Sequence, residues 1–225
     1  MMKSKSKLPG FTLIEVLVVV AIIALLLTLF VPSLRQFQNQ ISRGRSQAII
    51  NLIDGACKMY YQDFKAYPDS TPINYGATKW YGRHRLVQAL TGYLPRNEDG
   101  QDGYGFRTQD NSSSRWNTVV YGPYNGAEKL QVKHLPADTD PYVFLDTFGN
   151  QIFYYRYDET AKKYQPGDNS DAAKAPSLGS YETNKESQLF QTTFLLMSAG
   201  ADKEFTAWRD NNSTDDVTNF FPGAK

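Results

Sequence analysis

The chain of 225 residues carries 24 Lys and Arg against 23 Asp and Glu, a near-balance that offers no basic surface, so no nucleic-acid partner is expected. Its single cysteine, Cys57, rules out an internal disulfide, and one Cys with two separated histidines, His84 and His134, cannot assemble a zinc set. No P-loop, no G-x-G-x-x-G after a strand and no H-E-x-x-H occurs, so nothing reads as an enzyme.

The chain opens with Lys3, Lys5 and Lys7, then Gly10-Phe11-Thr12-Leu13-Ile14-Glu15, and from Val16 to Val31 only Thr28 is not apolar. A helix needs about 20 such residues to span hydrocarbon. The preceding lysines place the start in the cytoplasm and the bulk outside. A secretory signal would end in a small-residue cleavage site, yet Pro32-Ser33-Leu34-Arg35-Gln36 follows. Glu15 is the anomaly. A carboxylate in an apolar span is costly unless it has a dedicated partner, and its depth near the headgroups lowers that cost without explaining the residue.

The lysines, the Gly10-Phe11 junction, Glu15 and the uncut apolar run together resemble the leader and N-terminal helix of type IV pilins and of the pseudopilins of type II secretion. The resemblance implies a leader over 1–10, cut between Gly10 and Phe11 by a prepilin peptidase that also methylates the new amine of Phe11. It further implies a transmembrane and filament-core helix over 11–34. There Glu15 would pair with the N-terminal amine of a neighbouring subunit, two opposite charges neutralising one another in low dielectric.

Beyond that span Ile49, Ile50, Leu52, Ile53, Ala56, Cys57, Met59 and Tyr60 recur at helical spacing, with Gln47, Asn51, Asp54, Lys58 and Gln62 on the other side. The residues 35–66 are thus expected to be the soluble half of one long helix, about 80 Å from Phe11 to Asp63 at 1.5 Å per residue. Pro32 should kink or weaken it, and Gly44 and Gly55 lower its local stability. Cys57 reads as a small buried hydrophobe. Tyr67-Pro68-Asp69 ends the helix and opens the remaining domain, 67–225.

Within the Gly- and Asn-rich stretch from Ser70 to Asn117, Leu86–Leu90 predicts a short helix closed by Gly92, and Asn97–Gly103 a solvated acidic loop. Tyr142–Asp146 and Gln151–Tyr157, flanking Thr147-Phe148-Gly149-Asn150, predict a β-hairpin. The pattern Asp146-x-Phe148-Gly149-Asn150 resembles a stretch of major pseudopilins that usually reads Asp-Pro-Trp-Gly, with Thr147 and Phe148 in place of Pro and Trp. Asp158–Glu186 is polar and reads as a long loop, and Leu189–Met197 as a buried strand. The expected class is α+β, with a small antiparallel sheet packed on the long helix. By resemblance this is the type IV pilin-like fold.

A second motif closes the chain: Ser198-Ala199-Gly200-Ala201-Asp202, then Asp210, then Asp215-Asp216-Val217-Thr218-Asn219-Phe220. It resembles the calcium loop of major pseudopilins. Ca2+ takes six to eight oxygens from carboxylates and carbonyls, and the resemblance implies Asp202, Asp210 and Asp216 with the carbonyls of Ala199 and Val217. Asn212 is a weaker alternative, since the loop length differs. Lys203 stands where the family has Gly, and with Arg209 it offers ion pairs instead of a cation.

The resemblance implies a structural subunit of a type II secretion pseudopilus, held in the inner membrane with its C-terminal domain in the periplasm. Its partners would be other copies, minor pseudopilins, the prepilin peptidase and the assembly platform. A type IV pilin, a DNA-uptake pilin and a minor pseudopilin stay open. So does an anchored periplasmic binding module using Trp80, Tyr81, Trp116 and Tyr124.

Overall fold

A computed structural model describes residues 12–75, 78–92, 103–109, 115–134, 142–170, 175–176, 178, 193–205 and 215–220. It divides into two compact units, Met1–Ile41 and Ser42–Lys225. Helix α1, Leu13–Phe64, continues through Pro32, Gly44 and Gly55, so the expected weak points do not end it.

In the first unit the described side chains of α1, apolar for most of its length, are exposed: Leu13 is 84% accessible and Leu25 63%. Among the described residues no helix is long and apolar enough to cross a membrane. The side chains of Leu29, Pro32, Ser33 and Arg35, within or just beyond the expected span, lie outside that description.

In the second unit α1 buries Ile50, Ile53, Ala56 and Cys57 completely, a spacing that keeps one face on the core. Met59, expected on that face, is exposed. Burial pushes the Cys57 thiol well above its ordinary pKa, so it sits as an inert small hydrophobe. The helix stops where Lys65 turns left-handed at φ 55° and donates its N–H to the Tyr61 carbonyl at 2.8 Å.

Beyond α1 the described strands form four antiparallel sheets. Strands β1 (Ile73–Tyr75) and β2 (Thr78–Trp80) pair, and α2 follows over Gly82–Thr91, starting four residues before the expected Leu86. Gly92 caps α2 in the left-handed region, and a Cβ there would lie 2.2 Å from the Gly105 carbonyl carbon. Strands β3 (Phe106–Gln109) and β4 (Trp116–Tyr121) form a second pair, and β5 (Val132–His134) and β6 (Tyr142–Phe144) a third. The largest sheet has four strands in the order β10-β9-β7-β8, with β7 Phe153–Asp158, β8 Lys163–Tyr164, β9 Phe194–Ser198 and β10 Val217–Thr218. The mixture of a long helix with antiparallel sheets is the expected α+β class.

The central sheet is covered on both faces. Alternation sends Tyr154, Phe194 and Leu196 into a cluster with Ile50, Ile53, Leu86 and Phe144. Phe153, Tyr155, Leu195 and Met197 join Tyr164, Leu178 and Phe220 on the other face. A strand buried on both sides reads as an unbroken apolar run, which is why Phe194–Met197 was legible; residues 189–192 lie outside the described set.

Two sequence expectations need correction. The Thr147–Asn150 turn forms, but the runs flanking it are not one hairpin: only the Leu145–Gln151 bridge joins them, after which β6 pairs with β5 and β7 with β8 and β9. Both runs carry bulky residues suited to either partner, and packing against α1 and α2 decided between them. The stretch after Asp158 is also more than loop. It contributes β8, a 3-10 turn at Pro166–Asn169 with Asp168 and Asn169 buried, and the core residue Leu178. Part of its polarity is turned inward: Asn169 Nδ2 donates to the Tyr154 carbonyl at 2.9 Å and its Oδ1 accepts the Arg83 N–H at 3.0 Å.

Candidate assembly terminus and C-terminal loop

At the start of α1, Thr12 precedes the first helical residue and Glu15 is the third. The Glu15 carboxylate accepts the Thr12 N–H at 2.8 Å and its hydroxyl at 2.7 Å, while the Glu15 N–H donates to Thr12 Oγ1 at 3.3 Å. This is a reciprocal capping box, which satisfies orphan donors of the first turn and places a negative charge at the positive end of the helix. Thr12 was not among the residues singled out from the sequence, although T-x-x-E before an apolar run is the signature of this cap. Gly10 and Phe11 lie outside the described residues.

In the second unit the buried Asp146 carboxylate organises the turn that follows it. It accepts the N–H groups of Phe148 (2.9 Å) and Asn150 (2.7 Å), the Asn150 amide (3.2 Å) and the Ser198 hydroxyl (2.5 Å). A fully desolvated carboxylate needs such a set of donors. Thr147 turns the other way and donates its hydroxyl to the Ser42 carbonyl of α1 at 2.6 Å. Sequence resemblance marked this turn, and the donors explain why an Asp and an Asn stand at its ends.

Asp202 is exposed, and its carboxylate accepts the Glu204 N–H at 2.8 Å. Ala199 is buried at the end of β9, and Val217 pairs with Ser198 across the sheet, so two expected carbonyl donors flank the same turn as Asp202. Asp216 adjoins them, and Asp210 lies outside the described residues. Lys203 adopts φ 64°, so the left-handed conformation that suits Gly persists here with Lys in its place. The residue missed from the sequence is Asp215, whose carboxylate accepts the N–H groups of Ala201 and of Asp202, the latter at 2.9 Å. Among the described residues no three acidic, His or Cys side chains converge to hold a metal ion.

The aromatic side chains that a binding module would need are mostly withdrawn. Trp80 and Tyr124 are buried, and Tyr124 donates its hydroxyl to Asp63 at 2.7 Å. Tyr81 caps α2, where its N–H donates to His84 Nδ1 at 3.1 Å; Trp116 is exposed. A cleft of about 710 Å³ lies between the end of α1 and the β7–β8 turn. Three of its carboxylates are engaged within the fold: Asp69 with Arg85 at 2.8 Å, Asp168 with Ser70, and Asp158 with the N–H groups of Thr160 and Ala161.

Residues 9–31 match the model of the prokaryotic N-terminal methylation motif. Over 96 residues the chain is 33% identical to the type II secretion system core protein G of Vibrio cholerae serotype O1, an alignment covering 43% of this chain. The chain spans about three fifths of the length of that curated relative, 60%. No solved structure matches. Both matches point to a structural subunit rather than an enzyme. The chain thus joins a match to the methylation motif near its start with a partial similarity to a type II secretion core protein, in a molecule built of a long helix and antiparallel sheets.

Proposed function

We propose that this chain is a structural subunit of a type II secretion pseudopilus. It is cut between Gly10 and Phe11, methylated on the Phe11 amine, held in the inner membrane by 11–34 with its larger unit in the periplasm, and assembled with copies of itself and minor pseudopilins. The observation that supports this reading is the apolar first part of α1, whose described side chains between Leu13 and Leu34 are exposed. Such a surface is stable only when lipid or neighbouring helices cover it. Stacking identical subunits by a heterologous contact makes an open helical filament.

Glu15 then has two successive partners. In the single chain its charge is held by Thr12; in the filament it turns to a neighbour's amine. Glu15→Gln separates the two roles, because Gln keeps the capping box and loses the charge. Both Glu15→Gln and Glu15→Ala should insert into membrane and fail to yield filaments by microscopy and shearing. Normal filament yield from Glu15→Gln would show that the cap alone suffices and would sink the charge pairing.

The C-terminal loop is proposed to take Ca2+ through Asp202, Asp210 and Asp216 with the carbonyls of Ala199 and Val217. Its support is the shared turn that brings Ala199, Asp202 and Val217 to one end of the central sheet. Calcium should raise the melting temperature of the full chain, and a chelator should reverse the rise.

A further inference from the structure

The C-terminal turn is fastened at its base by side chains that belong to no expected cation set. Asn150 donates one amide hydrogen bond to Asp146 at 3.2 Å and a second to the Gly200 carbonyl at 2.5 Å. Asp215, beyond the residues 206–214, reaches back so that one carboxylate oxygen accepts two successive backbone N–H groups, those of Ala201 and Asp202. Successive amides converging on one anion make a nest, and such bonds are charge-assisted and strong. Gly200 makes the approach possible: its φ is +65°, and a Cβ there would lie 2.3 Å from the Asp215 carbonyl oxygen.

The same assembly grips α1. Besides the Thr147–Ser42 bond, Gln47 Nε2 donates to the Thr218 carbonyl at 3.0 Å and Asn219 Nδ2 to Asp54 Oδ1 at 3.4 Å, while Asn219 Oδ1 ties the C-terminal segment to the central sheet by accepting the Leu196 N–H at 2.9 Å. Helix, turn, central sheet and C-terminal segment are therefore cross-linked by polar side chains, with the buried Asp146 at the centre.

We infer that Asn150 and Asp215 are positioning residues, a latch that orders the Gly200–Asp202 turn against α1 before any cation arrives. A cation then binds a turn whose ordering cost has already been met by the protein, so it adds to a formed site rather than creating one. The latch stands whether or not the loop takes calcium.

The test is amide hydrogen exchange of the full chain in detergent micelles, in EGTA and in CaCl2. In EGTA the Ala201 and Asp202 amides should be protected in the parent, and Asp215→Ala should speed their exchange by about tenfold or more. Asp215→Asn, which keeps an acceptor oxygen, should recover part of that protection. Asn150→Ala should loosen the turn while Leu196, in the central sheet, exchanges as in the parent. Coil-like exchange of the parent in EGTA, or parent-like exchange of Asp215→Ala, would overturn the latch. Parent protection identical in EGTA and CaCl2 supports it and removes the calcium reading alone.

Discussion

Helix α1 is one continuous element with two opposite surface chemistries. Its first part, in the unit Met1–Ile41, leaves apolar side chains such as Leu13, Leu17 and Leu25 exposed. Its second part, in the unit Ser42–Lys225, hides Ile50, Ile53, Ala56 and Cys57 and presents polar residues elsewhere. The second pattern is how a helix stabilises a core of its own. Among the described residues the first leaves its apolar side chains exposed, an area that lipid or other subunits would cover under the proposed function. Under the proposed function, one helix thus separates folding from assembly.

The largest test of that separation pairs two leucine truncations. Leu196→Ala, at a fully buried site in the central sheet, should cost the larger unit about 3 kcal/mol, roughly 10 °C in melting temperature. Leu25→Ala, at an exposed site, should change that melting by less than about 0.5 kcal/mol while lowering filament yield. Calorimetry and shearing read the two effects, and equal loss of stability would erase the distinction.

A smaller effect sharpens where the second part of α1 gains its hold. Tyr124→Phe removes the bond to Asp63 near the helix end and should cost about 1 kcal/mol in denaturant melts, since the exposed Asp63 can turn to water. No change would mean that the aromatic contact with Tyr60 does all the anchoring there.

The smallest effect is a pH dependence. Burial raises the Asp168 carboxyl above its ordinary 3.8, against the pull of the Ser70 bond, with Asp69 and Asp158 adding to the rise and Arg85 opposing it. A raised folded-state value means that the folded chain holds this proton more tightly than the unfolded one. The resulting stability is fully present below about 3.8 and is lost as pH rises through the raised value. Asp168→Asn keeps an acceptor for Ser70 and carries no charge, so it should melt higher than the parent at pH 7, with the gap closing toward pH 4. A gap that stays constant across that range would show that the carboxylate is not strained by burial.

The comparison of the two parts of α1 was largely legible in the residues themselves. An apolar run interrupted only by Thr28 and a helical stripe of Ile50, Ile53, Ala56 and Cys57 are local signals that survive any tertiary arrangement. The same holds for Gly92, whose left-handed cap on α2 follows from the absence of a Cβ. Thr12–Glu15 is equally local, a T-x-x-E capping box readable from spacing alone.

Partnership across the chain was decided only in three dimensions. Tyr142–Asp146 and Gln151–Tyr157 look like two arms of one hairpin, because strand propensity carries no information about which strand pairs with which. The packed core sent one arm to β5 and the other to β8 and β9. In the same way Asp215 looked like one more acid in an acidic loop until the Gly200 turn brought the amides of Ala201 and Asp202 to its carboxylate. Sequence alone determined what each segment could bury, since burial depends on local composition and period. The tertiary structure decided which polar groups meet, because a hydrogen bond between residues as far apart as Ser42 and Thr147 exists only once the core between them has formed.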